Sequence, residues 1–303
     1  MVTNTLRVEY ARFVQQGSPV KKLISIAALC ILTFYCGKKQ EDKKPGAFGV
    51  AVSIFPIYDI ARNIGGDRAR IFFVIPAGAD PHTFEPRPSV AAQLQDADLF
   101  IGVSPEFDGW VERYLPGPVP RRYLIAPAGP GGETPNPHRW LSVRQAKAIA
   151  ERITRFLSGS DRGNAGYYRA NLGSYAARLD DTDAKITALF RDKKNRSFIQ
   201  WHEAWNYFAA DYGLVITGTV QREGSDRASV ATIKNIVERA RRERVRAVVT
   251  SLSSEDKGAR VLADEIGGRI VRLDGIGDPS AADRSDYLKL MYRNAKALAD
   301  AME

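Results

Sequence analysis

AGYYRANLGSYAARLDDTDAKITALF, residues 165–190, decides how the chain is read. Tyr168, Leu172, Tyr175, Leu179, Ile186 and Leu189 recur at spacings of three and four, which predicts one long amphipathic helix. On either side of it the pattern changes to short β-branched runs alternating with helical ones. Upstream, Val50–Phe55 (VAVSIF), Arg70–Ile75 (RIFFVI) and Leu99–Val103 read as buried strands. Ile57–Ile64, stopped by Gly65-Gly66, and Ser89–Ala97, capped by Ser89, read as helices between them. Residues 116–137, rich in Pro and Gly, read as a loop, and helix resumes from Val143 to Leu157. Downstream, strands are expected at Ser197–Gln200, Leu214–Thr219, Ala247–Thr250 and Arg269–Leu273. Helices are expected at Ala204–Tyr212, Val230–Arg241, Gly258–Ile266 and Tyr287–Ala301. Strand–helix alternation implies an α/β fold with mainly parallel sheets. The expected organisation is an N-terminal lobe at 48–163, a connecting helix at 164–193 and a C-terminal lobe at 194–303. A cleft between the lobes, beyond the carboxyl ends of strands, is the expected site.

The composition suits a body with a sizeable core, at 44% hydrophobic and 26% charged over 303 residues. The formal charge of +9 does not point to nucleic acid. Residues 1–45 hold eight basic and three acidic side chains, so more than half of that charge precedes the folded part. The run Arg239–Arg246 lies on a helical pattern and reads as a solvated face. The two cysteines, Cys30 and Cys36, both precede Gly37, so no thiolate is available to the body.

Residues 1–47 read as an export segment and tether. Lys21-Lys22 precede an apolar run from Leu23 to Tyr35, shorter than the roughly 20 residues a membrane-spanning helix needs. Cys36 ends the run, and a charged stretch follows. This is the layout of a bacterial lipoprotein signal, with Cys36 as the acylated residue. Tyr35 stands where such signals usually have a small residue. Val20, just ahead of Lys21, is the expected start of translation.

Only three histidines exist, separated widely in sequence. His82 follows the second strand, His138 ends the Pro-rich loop, and His202 ends the strand before the Ala204 helix. Asp274 follows the last strand directly. All four occupy strand-to-helix junctions, where side chains converge on a cleft. Imidazole nitrogens with one carboxylate suit a tetrahedral divalent transition metal. Any one of these histidines alone would read as a hydrogen-bonded surface residue. Together, two ligands from each lobe enclose one ion. Glu85 and Glu203 are candidates for orienting the ligands, or else serve as helix-cap or surface acids.

At these residues the chain resembles the zinc/manganese ABC-transporter solute-binding lipoproteins, over nearly all of its length from Val50. Gly78-Ala79-Asp80-Pro81-His82-Thr83-Phe84-Glu85-Pro86 is the most specific match. Asn136-Pro137-His138-Arg139-Trp140-Leu141 resembles the second histidine motif, with Asn136 where Asp is usual. Trp201-His202-Glu203-Ala204-Trp205 resembles the third, and Leu273-Asp274 the carboxylate. The resemblance implies His82, His138, His202 and Asp274 as metal ligands and small hinge motion limited by the long helix. It also implies a lipid-anchored, extracytoplasmic monomer that delivers metal to an ABC permease. Val249-Thr250-Ser251-Leu252 lacks the Glu that the family usually carries there, and no His-rich insert precedes His138. Three imidazoles and the Irving–Williams order favour zinc (Zn2+) over manganese (Mn2+) or iron (Fe2+). Two other readings are weighed: a zinc hydrolase with Glu203 as general base, and a surface lipoprotein adhesin using Trp110 and Trp140 as exposed aromatics.

Overall fold

The computed structural model describes residues 48–79, 81–115, 122–126, 136–222, 228–252 and 257–302. The export segment with Cys36, the Val20 start and Asp80 of the first histidine motif lie outside the described residues.

Two four-stranded sheets organise the body, and every strand pairing in them is parallel. The first has the order β2-β1-β3-β4, with β1 at Phe48–Val52, β2 at Ala69–Phe73, β3 at Leu99–Gly102 and β4 at Arg122–Leu124. The second has the order β6-β5-β7-β8, with β5 at Ser197–His202, β6 at Val215–Gln221, β7 at Ala247–Ser251 and β8 at Arg269–Leu273. The α/β class expected from the alternation is the one observed. Strands covered on both faces need continuous apolar runs. Accordingly β3 (LFIG) is buried throughout, and β1 (FGVAV) is buried except at its first residue.

The helices in chain order are α1 Phe55–Gly65, α2 Pro88–Gln95, α3 Pro105–Asp108, α4 Val143–Ser160, α5 Ala165–Phe190, α6 Asn206–Tyr212, α7 Val230–Arg242, α8 Lys257–Glu265 and α9 Tyr287–Ala299. Helix α5 has the bounds its periodicity predicts. It buries Tyr168, Tyr175, Leu179, Ile186 and Phe190 and packs on α1, α4, α6 and α9. It therefore braces helices that belong to both sheets. The apolar residues of the two sheets join in one contiguous cluster, from Val50 and Phe100 to Phe198, Val249 and Met291. A smaller cluster of Ile199, Val220, Ile236, Val248 and Leu262 lies under α7 and α8.

Three local expectations are corrected. The first strand ends at Val52 and Phe55 already begins α1, because Pro56 in the first turn presets helical φ and needs no donor. Arg87, not Ser89, is the N-cap of α2, since Pro88 opens that helix. The Pro- and Gly-rich loop contains β4, whose three residues pair with β3 and are too few to show periodicity.

Candidate metal centre

The three imidazoles are brought together by three different local devices. His82 stands in the loop between β2 and α2, which turns at Gly78, where φ is +82°. Its ring meets the edge of Phe107 at 4.4 Å between centroids. Phe107 is fixed by α3, whose cap Ser104 accepts a hydrogen bond from Phe107 N through Oγ. His138 precedes the 3-10 turn Arg139–Leu141 and is buried at 4% exposure. His202 is the last residue of β5, opposite Gln221 of β6.

Their ring centroids lie 5.7 Å (His82–His138), 5.3 Å (His82–His202) and 5.1 Å (His138–His202) apart. One nitrogen from each lies within 4.8 Å of the others, and these three form the metal-ligand group found among the described residues. Tetrahedral zinc with Zn–N bonds of about 2.0–2.1 Å separates its nitrogens by about 3.3 Å, a spacing inside that limit.

Asn136 sets the chemistry of His138. Its Oδ1 accepts His138 N–H at 3.0 Å and lies 3.0 Å from His138 Nδ1, while its Nδ2 donates to the Glu203 carbonyl at 2.7 Å. The opposite amide orientation would set donor against donor and acceptor against acceptor. An amide oxygen only accepts, so Nδ1 of His138 carries the hydrogen and Nε2 keeps its lone pair for a metal. Burial, and then the neighbouring His202 and His82, hold His138 well below the ordinary imidazole range, so it is neutral at neutral pH. The Asn136–Glu203 bond also ties the His138 loop to the end of β5. Tyr207 Oη donates to the Asn136 carbonyl at 3.1 Å and reinforces that tie.

Asp274 does not belong to the imidazole group. Its Oδ1 accepts the N–H groups of Ile276 and Gly277, at 2.9 Å each, and its Oδ2 faces Arg284 Nε at 3.0 Å. Asn294 of α9 brackets its backbone, accepting Asp274 N–H at 2.9 Å and donating to its carbonyl at 2.6 Å. Trp140 links this strand end to the histidines. Its Nε1 donates to the Gly275 carbonyl at 2.7 Å, and its ring lies 5.1 Å from that of His138.

Glu203 turns its carboxylate toward Asn206, accepting from Nδ2 at 3.2 Å. Glu85 is exposed on the loop before α2. Trp140 is not an exposed aromatic, at 1% exposure, and Trp110 packs against Phe84, Phe100 and Tyr114. Trp140 thus belongs to the core beside the site, and Trp110 is half-buried against it. Asn136 was visible in the sequence only as a departure from a pattern. Arg284 gave no signal, because it stands in an irregular loop ten residues beyond Asp274.

Two parallel sheets, with imidazoles gathered from two connecting loops and the end of β5, fit a class, the solute-binding proteins for metal ions. Residues 50–301 match the model of the zinc-uptake complex component A periplasmic (ZnuA) family, and the chain belongs to that family. The chain is 27% identical to the high-affinity zinc uptake system protein ZnuA of Bacillus subtilis, over 92% of this chain and 97% of that protein. It is 24% identical to the zinc-binding lipoprotein AdcA of Streptococcus pneumoniae, again over 92% of this chain but only 60% of that longer protein. A crystal structure of ZnuA superposes with a TM-score of 0.72 at 28% identity, covering 84% of this chain and 99% of that one. The periplasmic metal-binding protein of Candidatus Liberibacter asiaticus shares the fold, with a TM-score of 0.74 at 20% identity, covering 84% of this chain and 98% of that one.

Proposed function

We propose that this chain captures a divalent transition metal outside the cytoplasm and delivers it to an ABC permease. Zinc is the favoured cargo ahead of manganese and iron. His82, His138 and His202 supply three ligands and Asp274 the fourth, with the lobes at 48–163 and 194–303 on either side of the ion. Acylation at Cys36 anchors the mature monomer to the membrane. No helix among the described residues is long and apolar enough to cross a bilayer. The observation that carries the reading is the convergence of all three histidines of the chain to within 4.8 Å.

The work of such a protein is selective binding without bond-making. The neutral imidazole of His138, aimed by Asn136, is a ligand prepared before the ion arrives. Soft-to-borderline nitrogen donors favour zinc over harder cations. Helix α5, braced against helices of both sheets, keeps the lobes from swinging far. Family membership supports transport over hydrolysis, and the Glu203 carboxylate accepts a hydrogen bond from Asn206 Nδ2.

The test is calorimetric titration of chelator-stripped protein with zinc. One site per chain is expected, and His138→Ala should weaken it by at least about 100-fold while the thermal transition persists. Unchanged affinity in that variant would overturn the reading.

A further inference from the structure

Asp274 meets Arg284 in a way that bears on how the ion is held. The Oδ1 contacts with Ile276 and Gly277 are local to the turn and travel with it. Oδ2 depends on a distant side chain, the guanidinium of Arg284, with Nε at 3.0 Å. Both side chains are sheltered, at 14% and 24% exposure, so water screens the pair only in part. Yet the Nε–H of Arg284 finds no aligned acceptor. The pair is held by charge without the directional bond that makes Arg–carboxylate contacts strong.

Two further carboxylates surround the same guanidinium. Asp283 Oδ1 lies 3.3 Å from Nη1, and Asp278 Oδ2 lies 4.0 Å from Nη2. Arg284 thus has acidic partners in its own loop that it keeps if it parts from Asp274.

We propose that Arg284 is an internal cation that competes with the metal for Asp274. This deepens the metal-capture reading and rests on it. One oxygen cannot comfortably serve a guanidinium and a divalent ion together, because the two positive charges would then lie within about 5 Å of each other. The three imidazoles take the ion first. The carboxylate joins when Arg284 shifts onto Asp278 and Asp283. Arg284 is therefore a positioning residue that holds affinity below that of a site with its carboxylate already free, and its return to Asp274 assists release.

The experiment is competition titration of the full chain with zinc against a chromophoric chelator, in a double-mutant cycle. Arg284→Met keeps the apolar stem and removes the charge. It should tighten zinc binding by about five- to tenfold, the scale of one partly screened ion pair. Arg284→Gln should shift affinity in the same direction, which guards against a folding defect in either variant. In the Asp274→Asn background the gain should vanish. A merely structural role would weaken binding, and a general charge effect would persist in that background; either result overturns the proposal, as does unchanged affinity. His138→Ala serves as the separate arm. Intact binding there sinks the metal-capture reading itself, whereas lost binding there with no gain from Arg284→Met sinks only the role of Arg284.

Discussion

Asn136→Ala is the perturbation that most directly probes how the site is prepared. It deletes the acceptor of the His138 Nδ1–H and backbone N–H, and with it the donor to the Glu203 carbonyl. The ring of His138 is buried, so its N–H is left without compensation rather than returned to water. Loss of the group that aims a metal-binding imidazole typically costs about 10- to 100-fold in affinity. The unsatisfied groups cost about 2 kcal/mol of stability. For a body of this size each kcal/mol lowers the midpoint by about 2–4 °C, so a drop of about 4–8 °C is expected. Competition titration and calorimetric melting read the two effects separately. Asn136→Asp sharpens the comparison. A carboxylate keeps the acceptor for His138, so zinc affinity should hold, but it faces the Glu203 carbonyl without a donor, so the midpoint should still fall. Zinc affinity of Asn136→Ala within twofold of the parent would refute the idea that this amide prepares the ligand.

Other expectations follow from the same contacts. His138 has a folded-state pKa below its ordinary value of 6.5, so the folded protein binds fewer protons than the unfolded chain in that window. Its stabilising contribution is full above pH 6.5 and is lost as pH falls toward the lowered value; urea melts of metal-stripped protein at pH 7.5 and 5.5 should show this, and His138→Gln should flatten it. Trp140→Phe removes the donor to the Gly275 carbonyl and should cost about 1–2 kcal/mol, read by urea melts, with weaker zinc binding because the turn holding Asp274 loosens. Gly277→Ala should destabilise by more than about 1 kcal/mol in the same assay, because φ there is +75° and a Cβ would lie 2.9 Å from Phe55 Cδ1.

The fold was legible wherever periodicity ran long. The α5 span and β8 have the bounds read from sequence, because 26 residues of helical spacing and a β-branched run before Asp274 leave little choice. Short apolar runs were ambiguous. VAVSIF reads as one strand until Pro56 is recognised as a helix opener, and β4 hides in a loop by composition. The histidines were legible because they are so few and stand in connecting loops or at the end of a strand. The partners that tune them were not. Asn136 acts across the gap to Glu203, and Arg284 reaches Asp274 through an irregular turn, and neither contact leaves a mark in sequence spacing.

Exposure falls stepwise through the three imidazoles, from His82 on the surface through His202 to the buried His138. In the proposed site this gradient would order exchange with an outside chelator: the position beside His82 would be reached first and the inner nitrogens last, so unloading would begin at the outermost bond and reloading would end there.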